Sequence, residues 1–258
     1  MDVKKKNILN SIIRNILFPL IALAIILVVW IVASAIKNNP LVLPMPATVL
    51  EKFFTLGGEQ AFWKSVGATV LRSLIAFIIS FVLALSLAVL SGLFKNLDRI
   101  ISPIVAFLRA APTVAVILII YAFMTTDVMT VVVGFLIAFP IMYSSFFSAI
   151  KGIDENLLQM AKIYKVSPVS KIFNIFILSI SENIFDTSKS TLSLTMKVVI
   201  AAEILTSVSP GIGGKIQVAY ASFEIEYLLA WTLMAITLSF ASEIFVAILK
   251  KIFIRWGK

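Results

Sequence analysis

Apolar residues run along this chain in long blocks separated by short polar stretches, and the block lengths set the elements. A helix needs about 20 mostly apolar residues to cross the hydrocarbon core, because lipid offers no hydrogen-bond partner to an open backbone. Six stretches meet that requirement: Ile16–Ile36, Val66–Leu93, Ile100–Met124, Val128–Ile150, Ser188–Ser207 and Tyr227–Leu249. The fifth is the most polar, with Ser188, Ser190, Thr191, Ser193, Thr195 and Lys197 inside it. The expected fold is all-α, a polytopic membrane protein with six transmembrane helices. Residues 1–65 form an anchor helix and an outer Pro-rich segment, 66–250 the transmembrane core, and 251–258 a basic tail. The anchor is read as retained: Ala33-Ser34-Ala35 imitates a cleavage site, but the apolar run before it is longer than a signal peptide's.

Composition agrees with the pattern. Of 258 residues, 60% are hydrophobic and 14% charged, and the mean hydropathy is +1.07. Histidine and cysteine are absent, which removes metal ligation through those residues, Ser-His and Cys-His nucleophiles, and thiol chemistry. No metal site, cofactor or catalytic residue is expected. The net charge of +9 sorts by topology. With both termini inside, Lys4, Lys5, Lys6, Arg14, Lys95, Arg99, Lys151, Lys162, Lys165, Lys171, Lys189, Lys250, Lys251, Arg255 and Lys258 are cytoplasmic. Only Lys37, Lys52, Lys64 and Lys215 are outside, with Arg72 in the second span near enough to the outer surface to snorkel. This positive-inside bias accounts for the basic charge without nucleic acid and puts both termini in the cytoplasm; the expected location is the cell (inner, cytoplasmic) membrane, crossed several times.

Between the spans, Asn38–Lys64 carries Pro40, Pro44 and Pro46 ahead of a short helix, and Thr125–Asp127 is a tight outer turn. The largest cytoplasmic segment is 151–187. Within it Leu157, Leu158, Ala161 and Tyr164 share one helical face. A second helix begins at Ser167-Pro168, where Ser caps free amides and Pro suits the first helical position; Val169, Ile172, Phe173 and Phe176 form its apolar stripe. Two readings fit the pair: interfacial helices on the anionic inner leaflet, or an element that docks in a partner's groove and passes its movement to the spans.

Ionisable residues at membrane depth normally face a cavity, a partner or the interface. Arg109 lies about ten residues, or roughly 15 Å, into the third span, beside the helix-kinking Pro112. Snorkelling, a structural ion pair and a place in a pathway or gate all fit it. Lys197 and Glu203 are six residues apart, about 240° around the helix, and do not pair within it. The hydroxyls before Lys197, Ser193 among them, suit a hydrated path, although they equally suit backbone bonding in a packed helix. Glu243 reads as a packing charge, and Trp30, Trp63, Trp231 and Trp256 as interface belts and packing.

The segment 157–167, Leu-Leu-Gln-Met-Ala-Lys-Ile-Tyr-Lys-Val-Ser, followed by Ile175-Phe176-Ile177-Leu178, resembles the cytoplasmic Glu-Ala-Ala loop of permease subunits of binding-protein-dependent ABC importers. Leu43-Pro44-Met45-Pro46 resembles the Leu-Pro-x-Pro of their sulfonate, taurine and nitrate branch, Arg109-Ala110-Ala111-Pro112 its Arg-Ala-x-Pro, and Ala202-Glu203-Ile204-Leu205 with Gly211-Ile212-Gly213 its Ala-Glu-Met-Leu and Gly-Leu-Gly. The resemblance spans roughly residues 40–250 in collinear order. It implies a type I ABC importer permease-like fold whose loop, over 154–178, is a coupling helix seated on an ATP-hydrolysing subunit. Ala161, Ser167 and Ile175 match the pattern; Gln159 and Met160 replace Glu and Ala, Lys165 replaces Gly and Leu178 replaces Pro. Leu157, Leu158, Gln159, Ala161, Tyr164, Lys165, Ser167 and Ile175 are then the coupling residues, and Arg109, Pro112, Ser193, Lys197 and Glu203 the pathway or gate. The implied partners are the ATPase subunit, an extracytoplasmic solute-binding protein, membrane lipid and a second permease copy, as a homodimer or a heterodimer. The implied solute is a sulfonate, taurine, nitrate or a vitamin precursor.

No Gly-x-x-x-x-Gly-Lys-Ser/Thr occurs, and Gly213-Gly214-Lys215-Ile216 lacks its final hydroxyl, so the chain carries no P-loop. An enzyme is not expected: transport would draw its energy from the partner. The alternative is an ion-coupled transporter or channel with a mid-membrane site near Lys197 and Glu203.

Overall fold

A computed structural model describes residues 17–254, and every regular element in that range is helical. The leader lysines at 4, 5 and 6, Arg14, Ile16, Arg255, Trp256 and Lys258 lie outside the described residues. Helix α1 runs Phe18–Lys37, α2 Pro46–Gly57, α3 Gln60–Leu93, α4 Lys95–Ala110, α5 Thr113–Tyr121 and α6 Thr126–Lys151. Then come α7 (Glu155–Ile163), α8 (Pro168–Lys171, prolonged by π-helical turns Ile172–Ile177), α9 (Ser181–Thr206), α10 (Ile212–Ala221) and α11 (Ile225–Phe253). Among the described residues α1, α3, α6 and α11 are long and apolar enough to cross a membrane.

The third expected span is not one continuous helix. It divides into α4 and α5, which meet at 93°. Pro112 is the cause: it has no amide hydrogen, and it drives the preceding Ala111 to an extended conformation (φ −68°, ψ 129°) that ends α4. At 9 residues, α5 is only about 14 Å long, less than half of a bilayer core. The fifth expected span is α9; its 26 residues suffice in length, while its hydroxyls and charges keep it below the apolarity of the other four. The short helix expected after Pro46 is α2.

The core is α3 against α6, with α9 on α6 and α11 on α9. The face of α3 that enters it is small and regular: Ser73, Ala76, Ser80, Ala84 and Ala88 are all buried. Small side chains let helix backbones approach, the main route to tight packing where lipid removes the hydrophobic drive. Gly134 of α6 completes the contact, for a Cβ there would stand 2.9 Å from the Ala76 Cβ and 3.1 Å from Val199. Helix α1 lies almost wholly outside this core, tied at one end by Trp30 Nε1–H donating to the Pro44 carbonyl (3.1 Å) and Ser34 Oγ–H to that of Leu43 (2.8 Å). Trp231 packs on Phe62 with ring centroids 4.8 Å apart.

At one end of the bundle α7 and α8 are wedged under α3 and α6. Ala161, Ile175 and Phe176 join Val89, Phe146 and Ile150 in one buried cluster, with Leu158, Val166 and Ile172 packed against it. Both local signals in this segment hold. Asp154 and Ser167 cap α7 and α8, accepting from the amides of Asn156 (2.8 Å) and Ser170 (3.3 Å). Helix α7 ends in a Schellman turn, with Val166 N–H donating to the Ala161 carbonyl at 2.9 Å. Its left-handed residue is Lys165, at φ 47°, where the resembled pattern has Gly. The turn is therefore kept and the backbone is strained, at about 1–2 kcal/mol for a side chain in this region. Lys165→Gly is expected to raise the stability of α7 by about 0.5–1 kcal/mol, the strain relieved less the entropy that Gly adds to the unfolded chain. Slower amide exchange of Tyr164 to Val166 would show it; unchanged exchange would mean that the turn holds no strain.

Candidate functional site

Three places bring the expected residues together or separate them. The first is the α7–α8 end. Leu158, Gln159, Ala161, Lys165 and Ser167 line an open groove of about 660 Å³ between the two helices, with Glu155, Lys162 and Lys171 around its rim. Ile175 lies beneath, in the core. Leu157 and Tyr164 do not share the inward face of Leu158 and Ala161: with Met160 and Ile163 they form a second, outward apolar face, on which Tyr164 is 76% and Ile163 75% exposed. On α8 the expected stripe also divides, Phe176 buried and Ile172 half-buried, Val169 and Phe173 exposed. A helix that is apolar on both sides, one side locked into the bundle and the other uncovered, is suited to carry a partner's displacement into the spans.

The second place is the opposite end of the bundle. Arg72 does not snorkel. It is buried and donates from Nη1 to Glu203 Oε1 (2.7 Å) and to the Pro210 carbonyl (2.8 Å), and from Nη2 to Asp127 Oδ1 (2.5 Å). Glu203, wholly buried, also accepts from Thr69 Oγ1–H (2.8 Å) and Gly213 N–H (3.0 Å), while Ile212 N–H donates to Thr69 Oγ1 (2.9 Å). The carboxylate thus meets the positive N-terminal end of α10 and one of its free amides. The glycines around it have a steric reason. A Cβ on Gly211 would press on the Glu203 carboxylate at 2.8 Å, one on Gly213 would collide with the Ile200 carbonyl, and one on Gly214 with that of Val208. The node joins α3, the start of α6, α9 and α10. Sequence reading missed it, since the partners are 131 residues apart; the available signal was the glycine run ten residues after a membrane-depth glutamate.

The third place is the outer side of α6 and α9. Lys197 stands on an exposed stripe of α9 with Ser190, Ala201 and Leu205, whereas Ser193 is buried and its hydroxyl has no partner among the described residues. Pro112 caps the start of α5 at the break. Arg109, in the last turn of α4, donates from Nη1 to Ser144 Oγ of α6 at 3.4 Å. Lys197 and Glu203 do not form a site: Glu203 is saturated by Arg72, Thr69 and Gly213 on the inner side of α9. That arrangement does not favour the ion-coupled alternative. Glu243 is half-buried and makes no ion pair among the described residues.

The family profile described as "Binding-protein-dependent transport system inner membrane component" matches residues 80–254. The chain belongs to this family. As a member it is an inner-membrane permease of an ABC importer, spans the membrane several times, and serves transport rather than catalysis. Among relatives, it is 27% identical over 237 residues to SsuC of Escherichia coli (strain K12), a protein named for aliphatic sulfonates transport, with 90% of this chain and 89% of that one covered. It is 22% identical over 250 residues to TauC of the same organism, the permease protein of a taurine transport system, with 94% and 90% covered. Solved structures share the fold of the permease. The bacterial alginate ABC transporter, in complex with an alginate-bound periplasmic protein, aligns at TM-score 0.65 and 14% identity over 96% of this chain and 99% of that one. The MetNI methionine ABC transporter, in an inward-facing form, aligns at 0.58 and 17% over 74% and 98%.

Proposed function

We propose that this permease forms, with a second copy of itself, the path by which a small organosulfonate such as taurine or an alkanesulfonate enters the cell. A separate subunit hydrolyses ATP and an external binding protein delivers the solute. The observation that carries this reading is the two-sided α7. Its inner face is fixed in the cluster that holds α3 and α6 together, and its outer face, Leu157, Met160, Ile163 and Tyr164, is uncovered. The outer face seats on the ATPase subunit; closure of that subunit on ATP pushes α7, and α3 and α6 follow because packed helices move as rigid bodies. The positive-inside bias supports a cytoplasmic position for this end and an outer one for the Arg72–Glu203 node. Helix α9 and the bent α4–α5 pair complete the six membrane passages, and the stripe through Lys197 faces the path. The choice of solute follows the two relatives named for sulfonates and taurine.

Proteoliposomes test the proposal. The permease with its ATPase and binding protein is expected to accumulate labelled taurine or butanesulfonate only when ATP is supplied, and the permease alone to carry none. Flux through the permease alone, driven by an ion gradient, would overturn it.

A further inference from the structure

Helices α4 and α6 each turn a largely polar row toward the other. On α4 it is Ser102, Ala106 and Arg109; on α6 it is Ser144, Ser148 and Lys151, each row spaced i, i+4, i+7 so that it occupies one helical face. The helices run antiparallel along this seam, since Lys151 Nζ reaches Asp98 Oδ2 (3.3 Å) at one end and Arg109 reaches Ser144 at the other. The two rows do not close on one another. They line a cavity of about 360 Å³, whose wall also includes Tyr143 and Phe147, rings stacked at 5.7 Å. The short side chain of Ala106 leaves the space.

The charges in this cavity do not balance. Lys151 is held by Asp98 and by the face of Phe147, 4.3 Å from its ring centre. Arg109 has no carboxylate partner among the described residues, and its one hydrogen bond, to a hydroxyl at 3.4 Å, leaves the rest of its donor fork unused. The Ser148 hydroxyl lines the same cavity. Arg109 is exposed at the mouth of the cavity, and an arginine on a membrane-embedded bundle that has no carboxylate and only one long hydrogen bond to a hydroxyl is a candidate ligand position. Its planar fork suits a tetrahedral oxyanion, which takes two parallel N–H···O bonds. With Asp98 offsetting Lys151, one positive charge remains, which matches a monoanion.

We propose that the α4–α6 cavity binds a singly charged oxyanion head group, a sulfonate or a phosphodiester, with Arg109 as the anchoring cation, Ser144 and Ser148 as hydroxyl partners and the Phe147 ring beside the carbon portion. Two sources supply that chemistry: the transported sulfonate, which rests on the function proposed above, and an anionic lipid. The permease–ATPase complex in phosphatidylcholine nanodiscs distinguishes them. Butanesulfonate is expected to bind the wild type, and butylammonium not to. Arg109→Gln is expected to weaken butanesulfonate at least about tenfold, as the loss of a charge-assisted pair does. Arg109→Lys should fall between the two, because charge remains and the fork is lost. If phosphatidylglycerol added to the discs displaces butanesulfonate, and is itself retained by wild type but not by Arg109→Gln, lipid is the resident ligand of the same site. The site is overturned if Arg109→Gln, still assembled with its ATPase, holds both anions as the wild type does, or if butylammonium binds as well as the sulfonate. The solute assignment fails separately: it is lost if the wild-type complex accumulates no sulfonate, whatever Arg109 binds, and it stands if uptake is robust and indifferent to Arg109→Gln.

Discussion

Replacement of Met160 and Tyr164 by Glu is expected to abolish assembly with the ATPase subunit while leaving the permease folded. Both side chains are exposed, 53% and 76%, and neither belongs to the cluster under α3 and α6, so the substitutions remove no core contact; surface changes of this kind alter stability by about 0.5 kcal/mol or less. Against a docked partner the effect is of another size. An apolar anchor is lost and a carboxylate must be desolvated in its place, for about 3 kcal/mol or more of association at an interface centre, at least a hundredfold in Kd. Co-purification and solute-stimulated ATP hydrolysis should both disappear, and the melting temperature of the isolated permease should stay. Leu158→Glu and Ala161→Glu give the contrasting result, loss of the fold itself, since these residues reach into the bundle. If Met160→Glu/Tyr164→Glu binds the ATPase normally, the outer face of α7 is not the docking face.

The second large effect lies at the other end. Glu203→Ala should cost about 3–5 kcal/mol, the size of breaking a buried ion pair from one side. It leaves Arg72 with the exposed carboxylate of Asp127 and the Pro210 carbonyl, strands the Gly213 amide, and takes the acceptor from the Thr69 hydroxyl. Glu203→Gln should cost less, because the amide oxygen still accepts from Arg72 or Gly213. Removal of both charges in Arg72→Leu/Glu203→Leu should lose clearly less than the two single losses combined, the mark of direct coupling. Thermal unfolding in one detergent gives the whole cycle. Additive losses would show that the two residues do not support each other, and the node would then have no part in holding α10 against α9.

Local chemistry was legible in the sequence and long-range partnership was not. Hydropathy alone finds α1, α3, α6 and α11, because span length and apolar content are local properties. Ser167-Pro168 announces the start of α8 for the same reason. Pro112 announces a kink, but whether the chain bends slightly or turns through 93° depends on what α4 and α5 pack against. Periodicity places Leu157, Leu158, Ala161 and Tyr164 on one side of α7; it carries no information on which side meets the bundle, and the boundary falls between Leu157 and Leu158. Arg72 looked free to reach the surface because its partner carboxylate stands far along the chain. The glycines at 211, 213 and 214 were legible as a motif, whereas their reason, the close pass of α10 over α9, exists only in the fold.

The central claim, that the outer face of α7 rests on the ATPase subunit, has a direct test. The chain contains no cysteine, so Tyr164→Cys supplies a single thiol on that face, and Trp63→Cys a control at the opposite end of the bundle. In membranes holding the assembled importer, a short bifunctional maleimide–photoreactive reagent on Tyr164→Cys is expected to cross-link to the ATPase subunit, with a yield that changes on ATP binding, and the same reagent on Trp63→Cys to give no such product. An ATPase cross-link from Trp63→Cys, or none from Tyr164→Cys in an importer that still transports, would contradict it.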